Sequence, residues 1–176
     1  MTVRPLGEGD REWVRDTLRE LWGETVVSRG AVHDPTALPG FVAEEGGERV
    51  GLLTYRVDGA DCEVVTIDAF PEGAGAGTAL LDAAARAAGD AGCGRVWLIT
   101  TNDNLRALRF YQRRGLRLRA LRAGAVDDAR RTLKPAIPER GLHDIPIRDE
   151  LELALDLELD WAGRKSGGTQ DAVGDA

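Results

Sequence analysis

A cluster of glycines follows one predicted strand and precedes an Ala/Leu-rich run, and it is the first feature that suits chemistry. It reads Gly73-Ala74-Gly75-Ala76-Gly77-Thr78. Glycines allow a sharp turn, and the N–H groups of such a turn, together with the positive end of the next helix dipole, can bind a phosphate or pyrophosphate. A P-loop is excluded because no lysine follows the glycines. A packed turn that binds nothing is the alternative.

A second stretch, residues 102–115, places an amide and a phenol on one side of a predicted helix. The positions i, i+3, i+4 and i+7 are occupied by Asn104, Ala107, Leu108 and Tyr111. Seven residues return a helix to nearly the same face, so the amide and the phenol project together. The alternative is that Tyr111 is a core aromatic and Asn104 belongs to the helix start.

The composition restricts the partners. The chain has 176 residues, of which 43% are hydrophobic and 30% charged, and this fits one soluble domain. Its net charge of −7 disfavours broad binding to nucleic acid or to an anionic membrane, because phosphates would be repelled. Cys62 and Cys93 lack paired Cys/His spacing, so no metal site is expected. We expect a cytoplasmic location, since neither a signal peptide nor a membrane-spanning apolar run is present.

Periodicity and breakers predict the elements that position the two stretches. Helices are predicted over residues 11–22, 78–88, 102–114 and, more briefly, 127–131, and Asp10 can cap the first of them. Strands are predicted over residues 41–44, 50–57, 62–70, 95–100 and 116–121, and residues 23–40 read as loop. The strand–helix–strand–helix order after residue 61 implies that strands 62–70 and 95–100 are parallel.

The end of the chain contains a final strand and a tail. Over residues 151–159 leucine alternates with acidic or small residues, and this period of two predicts a strand with one apolar face and one exposed acidic face. Residues 162–176 are polar and Gly-rich, so disorder is expected there. We therefore expect one domain, residues 1–161, followed by a tail, residues 162–176.

The two chemical stretches, in this order and with a strand between them, resemble the GCN5-related N-acetyltransferase (GNAT) superfamily. The glycine segment looks like the family's acyl-CoA pyrophosphate loop, although Glu72 stands where Gln or Arg is usual. The series Asn104, Ala107, Phe110-Tyr111 and Gly115 looks like its next helix. The resemblance implies a single-domain α/β (α+β) fold with a mixed, centrally splayed β-sheet flanked by helices.

The resemblance also implies where acetyl-CoA binds. The thioester arm would lie in a gap between strands 62–70 and 95–100. Backbone groups near Ile67, Asp68 and Ala69 would bond the pantetheine amides and the acetyl carbonyl. The pyrophosphate would be held by the N–H groups of Gly73, Ala74, Gly75, Ala76, Gly77 and Thr78.

The implied reaction is direct attack of a primary amine on acetyl-CoA through a tetrahedral intermediate. Asn104 would contact the cofactor arm, and Tyr111, near the thioester sulfur, would protonate the departing thiolate. Glu63 is the first candidate for the general base and Asp68 the second; for Glu63 the alternative is a solvent-facing strand residue. The amide of Ile67 could stabilise the oxyanion.

In the resembled family, the pocket for the acceptor is shaped by the loop after the first helix and by segments near the last strands. Candidates there are Trp22, Arg29, His33, Asp34 and His143. The acidic balance favours a small cationic amine. A non-catalytic acyl-CoA-binding sensor or partner-binding module is the alternative to an enzyme. Homodimers are common in the resembled family, so a homodimer is a possible assembly.

Overall fold

A computed structural model of the chain describes residues 1–71 and 73–157. Glu72, the end of the predicted strand 151–159 and the predicted tail 162–176 lie outside the described residues.

Apart from three short strands at residues 2–5, 26–28 and 31–33, which were not predicted, the described residues form helices and strands close to those predicted. The helices are α1 Arg11–Trp22, α2 Ala76–Asp90, α3 Leu105–Arg113 and α4 Ala125–Thr132. The strands are β1 Thr2–Pro5, β2 Val26–Ser28, β3 Ala31–His33, β4 Gly40–Glu45, β5 Glu48–Asp58, β6 Asp61–Ala69, β7 Arg95–Thr101, β8 Arg117–Arg122 and β9 Glu150–Asp156. The loop predicted over residues 23–40 is wrong in part, because β2 and β3 form a hairpin there.

Seven of these strands form one sheet in the order β1-β4-β5-β6-β7-β9-β8. β6 and β7 are parallel, as predicted, and the other neighbours in the described sheet are antiparallel. The α/β fold class with a mixed sheet flanked by helices is therefore confirmed.

The parallel pair at the centre of the sheet separates part-way along its length. Pairing of β6 with β7 ends at Val64 and Leu98. At the same place the β5–β6 ladder shifts register and leaves Val65 as an extra residue in β6. A bulge of this kind bends its strand, so the rest of β6 turns away from β7. Because β7 stays paired with β9 as far as Thr101, a gap opens between β6 and β7.

One face of the sheet is covered by α2, whose Ala/Leu-rich sequence gives it a wide apolar face. Its buried residues are Ala76, Leu80, Leu81, Ala83, Ala84, Ala85 and Ala88. Gly51 on β5 permits the close approach, since a Cβ there would lie 2.9 Å from Cδ1 of Leu80. The packing fixes the first turn of α2 beside the end of β6, next to the gap.

The other face of the sheet carries α1, which is held by a buried carboxylate. Asp10 accepts hydrogen bonds from Arg4 Nη1 at 2.6 Å, from Arg49 Nη2 at 3.0 Å and from the Gly7 N–H at 2.9 Å. Asp10 stands at the N-cap position of α1, as predicted, but the predicted capping is wrong, because its side chain makes no hydrogen bond to the helix. Instead it ties the start of α1 to β1 and β5. The hydrogen bond from Arg4 lowers the pKa of Asp10 well below its usual range.

Replacing Asp10 with Ala is expected to lower the free energy of unfolding by about 2 kcal/mol at pH 7, because Arg4 and Arg49 lose their hydrogen bonds to this carboxylate while Arg4 keeps its bond to Glu44. Chemical denaturation measures this. The deficit should shrink as the pH falls below about 4, since a carboxylate with a lowered folded-state pKa stabilises only while it is ionised.

The matched control is Asp16→Ala on the same helix, whose side chain is 64% exposed and pairs only with Arg15 among the described residues. It should change the free energy of unfolding by no more than about 0.5 kcal/mol. Equal losses in the two variants would contradict the assignment of the Asp10 contacts as the anchor of α1.

Candidate active site

Two strand edges line the gap between β6 and β7. The outer edge of β6 stays bonded to β5, and the last of these bonds runs from the Phe70 N–H to the Val50 carbonyl at 2.8 Å. Peptide groups alternate in direction along a strand, so those of Ile67 and Ala69 point into the gap and that of Asp68 points toward β5. The gap therefore presents backbone donors and acceptors with which an extended amide chain can pair.

The glycine segment forms the turn between β6 and α2. Gly73 and Gly75 have φ angles of 84° and 93°, which side-chain-bearing residues rarely adopt, so the turn requires glycine at both positions. Ala74 lies exposed between them. The turn and the helix start thus bring successive N–H groups to the end of the gap.

The first turn of α2 supplies free donors. The first bond within the helix runs from the Ala79 N–H to the Gly75 carbonyl at 3.1 Å. The N–H groups of Ala76, Gly77 and Thr78 precede it and have no intrahelical acceptor. With the helix dipole behind them, these groups form a site for an anion.

The helix α3 packs beside this turn, and a Cβ at Gly77 would lie 3.3 Å from Cζ of Phe110. Asn104 caps α3, because its Oδ1 accepts the Ala107 N–H at 3.1 Å. Tyr111 is 8% exposed and packs edge-on against Phe110. Burial, assisted by the charge of Asp68, raises the pKa of Tyr111, so its hydroxyl stays protonated at neutral pH. Gly115 follows α3 with a φ of 85°, as the sequence indicates.

Asp68 lies on β6 in the splayed part of the strand. Its Oδ2 accepts a hydrogen bond of 2.8 Å from Nε1 of Trp22, the last residue of α1. Burial raises the pKa of Asp68 to about 6, although the bond from Trp22 opposes the shift. A carboxyl with this pKa is ionised at neutral pH and can accept a proton.

Glu63 lies on the paired part of β6, opposite Trp97 of β7. Its side chain is 3% exposed, so the solvent-facing alternative is wrong. Ser28 Oγ donates to its Oε1 at 2.5 Å, Arg56 Nε donates to its Oε2 at 2.8 Å, and Nε2 of His33 lies 4.0 Å from Oε2. The contacts from Ser28 and His33 attach the β2–β3 hairpin to the sheet.

The β2–β3 hairpin also covers the first part of the acidic face of β9, so the predicted exposure of this face is wrong there. Glu150 and Glu152 are 3% and 5% exposed. The backbone N–H of Arg29 lies 3.3 Å from Glu150 Oε2, and Arg122 donates to Glu152 at 2.8 Å. The Arg29 guanidinium lies 4.9 Å from the centre of the Trp97 ring. Arginines from distant elements neutralise these carboxylates and allow their burial.

The predicted cofactor residues therefore surround one gap, whereas the acceptor candidates separate into groups. Trp22 reaches Asp68, while Arg29 and His33 belong to the hairpin. Asp34 caps a short turn by accepting the Thr36 N–H at 2.9 Å, and His143 lies in an exposed turn with a φ of 57°. The contact between Trp22 and Asp68, 46 residues apart, has no signal in the sequence.

Within residues 1–71 and 73–157, no three His, Cys, Asp or Glu side chains are grouped so that they could hold a metal ion. None of the helices described there has both the length and the apolar character needed to cross a membrane.

Comparisons with known proteins identify a family and related sequences. The sequence profile of the acetyltransferase (GNAT) family matches residues 10–116. The protein YdhI of Bacillus subtilis (strain 168) is 43% identical over 154 residues, which are 86% of this chain and 95% of YdhI.

Solved structures share the fold. An IAA acetyltransferase from Bacillus cereus ATCC 14579 superimposes with a TM-score of 0.69 at 21% identity, covering 89% of this chain and 99% of its own. A Bacillus subtilis acetyltransferase in complex with CoA gives a TM-score of 0.65 at 20% identity, covering 88% and 97%. At these identities the likeness establishes the fold alone.

Replacing Gly75 with Ala is expected to weaken CoA binding several-fold, because the φ of 93° is strained for alanine and the N–H groups of the α2 start would be displaced. Isothermal titration with CoA measures the affinity. The matched control is Gly92→Ala at the other end of α2, where φ is 79° and, as at Gly75, no atom lies within 4 Å of an added Cβ. Both variants should lose about 1 kcal/mol of stability. A similar loss of CoA affinity in both variants would contradict the anion site.

Proposed function

The chain belongs to the acetyltransferase (GNAT) family and is an acyltransferase of that type, and on this premise we propose that it transfers acetyl from acetyl-CoA to a primary amine of a small molecule. The observation that carries the proposal is the gap between β6 and β7, with its unpaired β6 edge. An acyl-CoA arm contains amides that can add to such an edge as a strand would.

The residues around the gap fit the parts of acetyl-CoA. Ile67 and Ala69 offer backbone groups to the pantetheine amides. The N–H groups from Gly73 to Thr78 offer donors to the pyrophosphate, and the Asn104 amide nitrogen is left to reach the arm because its oxygen caps α3. The CoA complex of the related-fold acetyltransferase supports acetyl-CoA as the donor here.

The acceptor amine must lose a proton before or during attack. An amine with a pKa near 10.4 is mostly protonated at pH 7, and its neutral form lies about 4–5 kcal/mol higher. Of the two candidate bases, Asp68 fits better, because it lies in the splayed part of β6 and its pKa is raised to about 6. Glu63 stays a candidate, but both of its oxygens are hydrogen-bonded to neighbouring side chains.

Two further groups fit the reacting centre. When the amine attacks, negative charge develops on the acetyl oxygen, and the Ile67 N–H that points into the gap can stabilise it. The carbon–sulfur bond then breaks, and the protonated Tyr111 hydroxyl can supply the thiolate with its proton.

Other parts of the assignment stay predictions. They are the domain boundary at residue 161, a cytoplasmic location, the absence of nucleic-acid or membrane partners, and a homodimer. The preference for a small cationic acceptor rests on the net charge of −7.

The proposal is tested by thermal unfolding with acetyl-CoA and by release of free thiol against a panel of amines. Acetyl-CoA at 100 times its dissociation constant should stabilise the protein by about 2.7 kcal/mol. Thiol release that depends on an amine is expected. Stabilisation with no turnover of any amine would favour a binding module, and no stabilisation at saturation would contradict the proposal.

Asp68→Asn tests the base. In the wild type kcat/KM should fall as the pH drops through about 6, because Asp68 acts only when it is ionised. The variant should lose this dependence and about 10²-fold in kcat. Glu63→Gln is the control on the same strand, and it should keep the pH dependence. Loss of the acidic limb in Glu63→Gln but not in Asp68→Asn would assign the base to Glu63.

Tyr111→Phe tests the acid. We expect kcat to fall about 10²-fold while acetyl-CoA affinity is retained, since the ring still fills its site beside Phe110 and only the proton donor is removed. Steady-state kinetics and calorimetry measure the two quantities. A variant with wild-type kcat across the pH range would show that the thiolate takes its proton elsewhere.

A further inference from the structure

A lysine that follows α4 reaches across the molecule to the end of α1. Nζ of Lys134 donates hydrogen bonds to the backbone carbonyls of Trp22 at 2.5 Å and of Thr25 at 2.6 Å. Its own backbone N–H bonds to Ala129 in the last turn of α4 at 2.8 Å, which fixes the start of the side chain. Lys134 thus links two segments that are more than a hundred residues apart.

The end of α1 needs such a partner. The last carbonyls of a helix have no intrahelical donor, and the negative end of the helix dipole lies there. Gly23 turns the chain away with a φ of 76°, and a Cβ at this position would lie 3.9 Å from Nζ of Lys134. An ammonium group satisfies both the carbonyls and the dipole. Lys134 is half-buried, and this partial burial lowers the pKa of its ammonium group.

Trp22 connects this contact to the gap. The carbonyl of Trp22 accepts the hydrogen bond from Lys134, and its indole N–H donates to Asp68 at 2.8 Å. Trp22 is 36% exposed, so packing alone does not fix its ring. Its position therefore depends on the backbone at the helix end, which Lys134 holds.

We propose that Lys134 is a positioning residue for the acetyl transfer: it holds the backbone of Trp22 so that the Trp22 indole stays hydrogen-bonded to Asp68. The inference rests on the proposed function in that Asp68 is taken as the base. Asp68 accepts the hydrogen bond of Trp22 from α1, and its charge helps to raise the pKa of the Tyr111 phenol on α3, while Lys134 contacts the Trp22 carbonyl.

The direct test follows the Trp22 indole N–H by ¹H–¹⁵N NMR in the free enzyme. The chain has four tryptophans, so Trp22→Phe assigns the resonance by its disappearance. In the wild type this resonance should titrate with Asp68, near pH 6. In Lys134→Met, which keeps an apolar side chain but removes the donors, it should move toward the position of a solvated indole and stop titrating.

Kinetics give a second readout. Lys134→Met should lower kcat/KM for the amine about tenfold at pH 7, the effect of one hydrogen bond onto a carboxylate. The acidic limb should move to higher pH, because Asp68 loses a donor that stabilises its ionised form. The KM for acetyl-CoA should not change. The double variant with Trp22→Phe should be no slower than Trp22→Phe alone, since Lys134 acts through Trp22.

The matched control is Arg131→Met. Arg131 also carries a positive charge near the end of α4, but its side chain is 68% exposed and pairs with Asp128. It should leave the Trp22 resonance and the pH profile unchanged, and melting temperatures should show that both variants are folded.

An unchanged Trp22 resonance in Lys134→Met would overturn the inference, as would losses that multiply in the double variant. If the wild type turns over no amine, the proposed function fails, and the resonance alone then decides whether Lys134 positions Trp22.

Discussion

The separation of β6 from β7 is the constraint on which the rest of the molecule depends. A sheet normally satisfies its backbone groups by continuous pairing, and here a single extra residue, Val65, bends β6 at the point where its pairing with β7 ends. β7 does not follow, because β9 pairs with it to its end at Thr101. The result is a strand edge that stays open inside the fold, with donors and acceptors that a ligand can complete.

Different elements flank the gap on the two faces of the sheet, and different interactions hold them. On one face α2 and α3 bring the free N–H groups and Tyr111 to the gap, and apolar packing holds them there. On the other face α1 is anchored by ion pairs to the buried Asp10 carboxylate, and the β2–β3 hairpin is held by the hydrogen bond from Ser28 to the buried Glu63. Apolar packing thus dominates on the face of α2 and α3, whereas charged and polar contacts add to the packing of α1 on the other face.

The sequence predicts the glycine turn, α2 and α3 well, because the signals for these elements are local. Each of these elements is recognisable from its own residues: glycines for the turn, alanine and leucine for α2, and the spacing from Asn104 to Gly115 for α3. The face with α1 and the β2–β3 hairpin depends on contacts between residues far apart in the chain, and local sequence patterns cannot show them. From the sequence Asp10 is predicted to cap a helix, whereas in the structure it pairs with Arg4 and Arg49. β2 and β3 have three residues each, too few for a period to be visible.

The most direct test of the account is amide hydrogen exchange along β6 with and without acetyl-CoA. In the free protein the N–H groups of Ile67 and Ala69 should exchange quickly, and that of Asp68 slowly, since it is paired with β5. Saturating acetyl-CoA should protect Ile67 and Ala69 and leave Asp68 as it was. Binding that protects neither Ile67 nor Ala69 would show that the arm lies elsewhere, and the gap would then have no part in holding the donor.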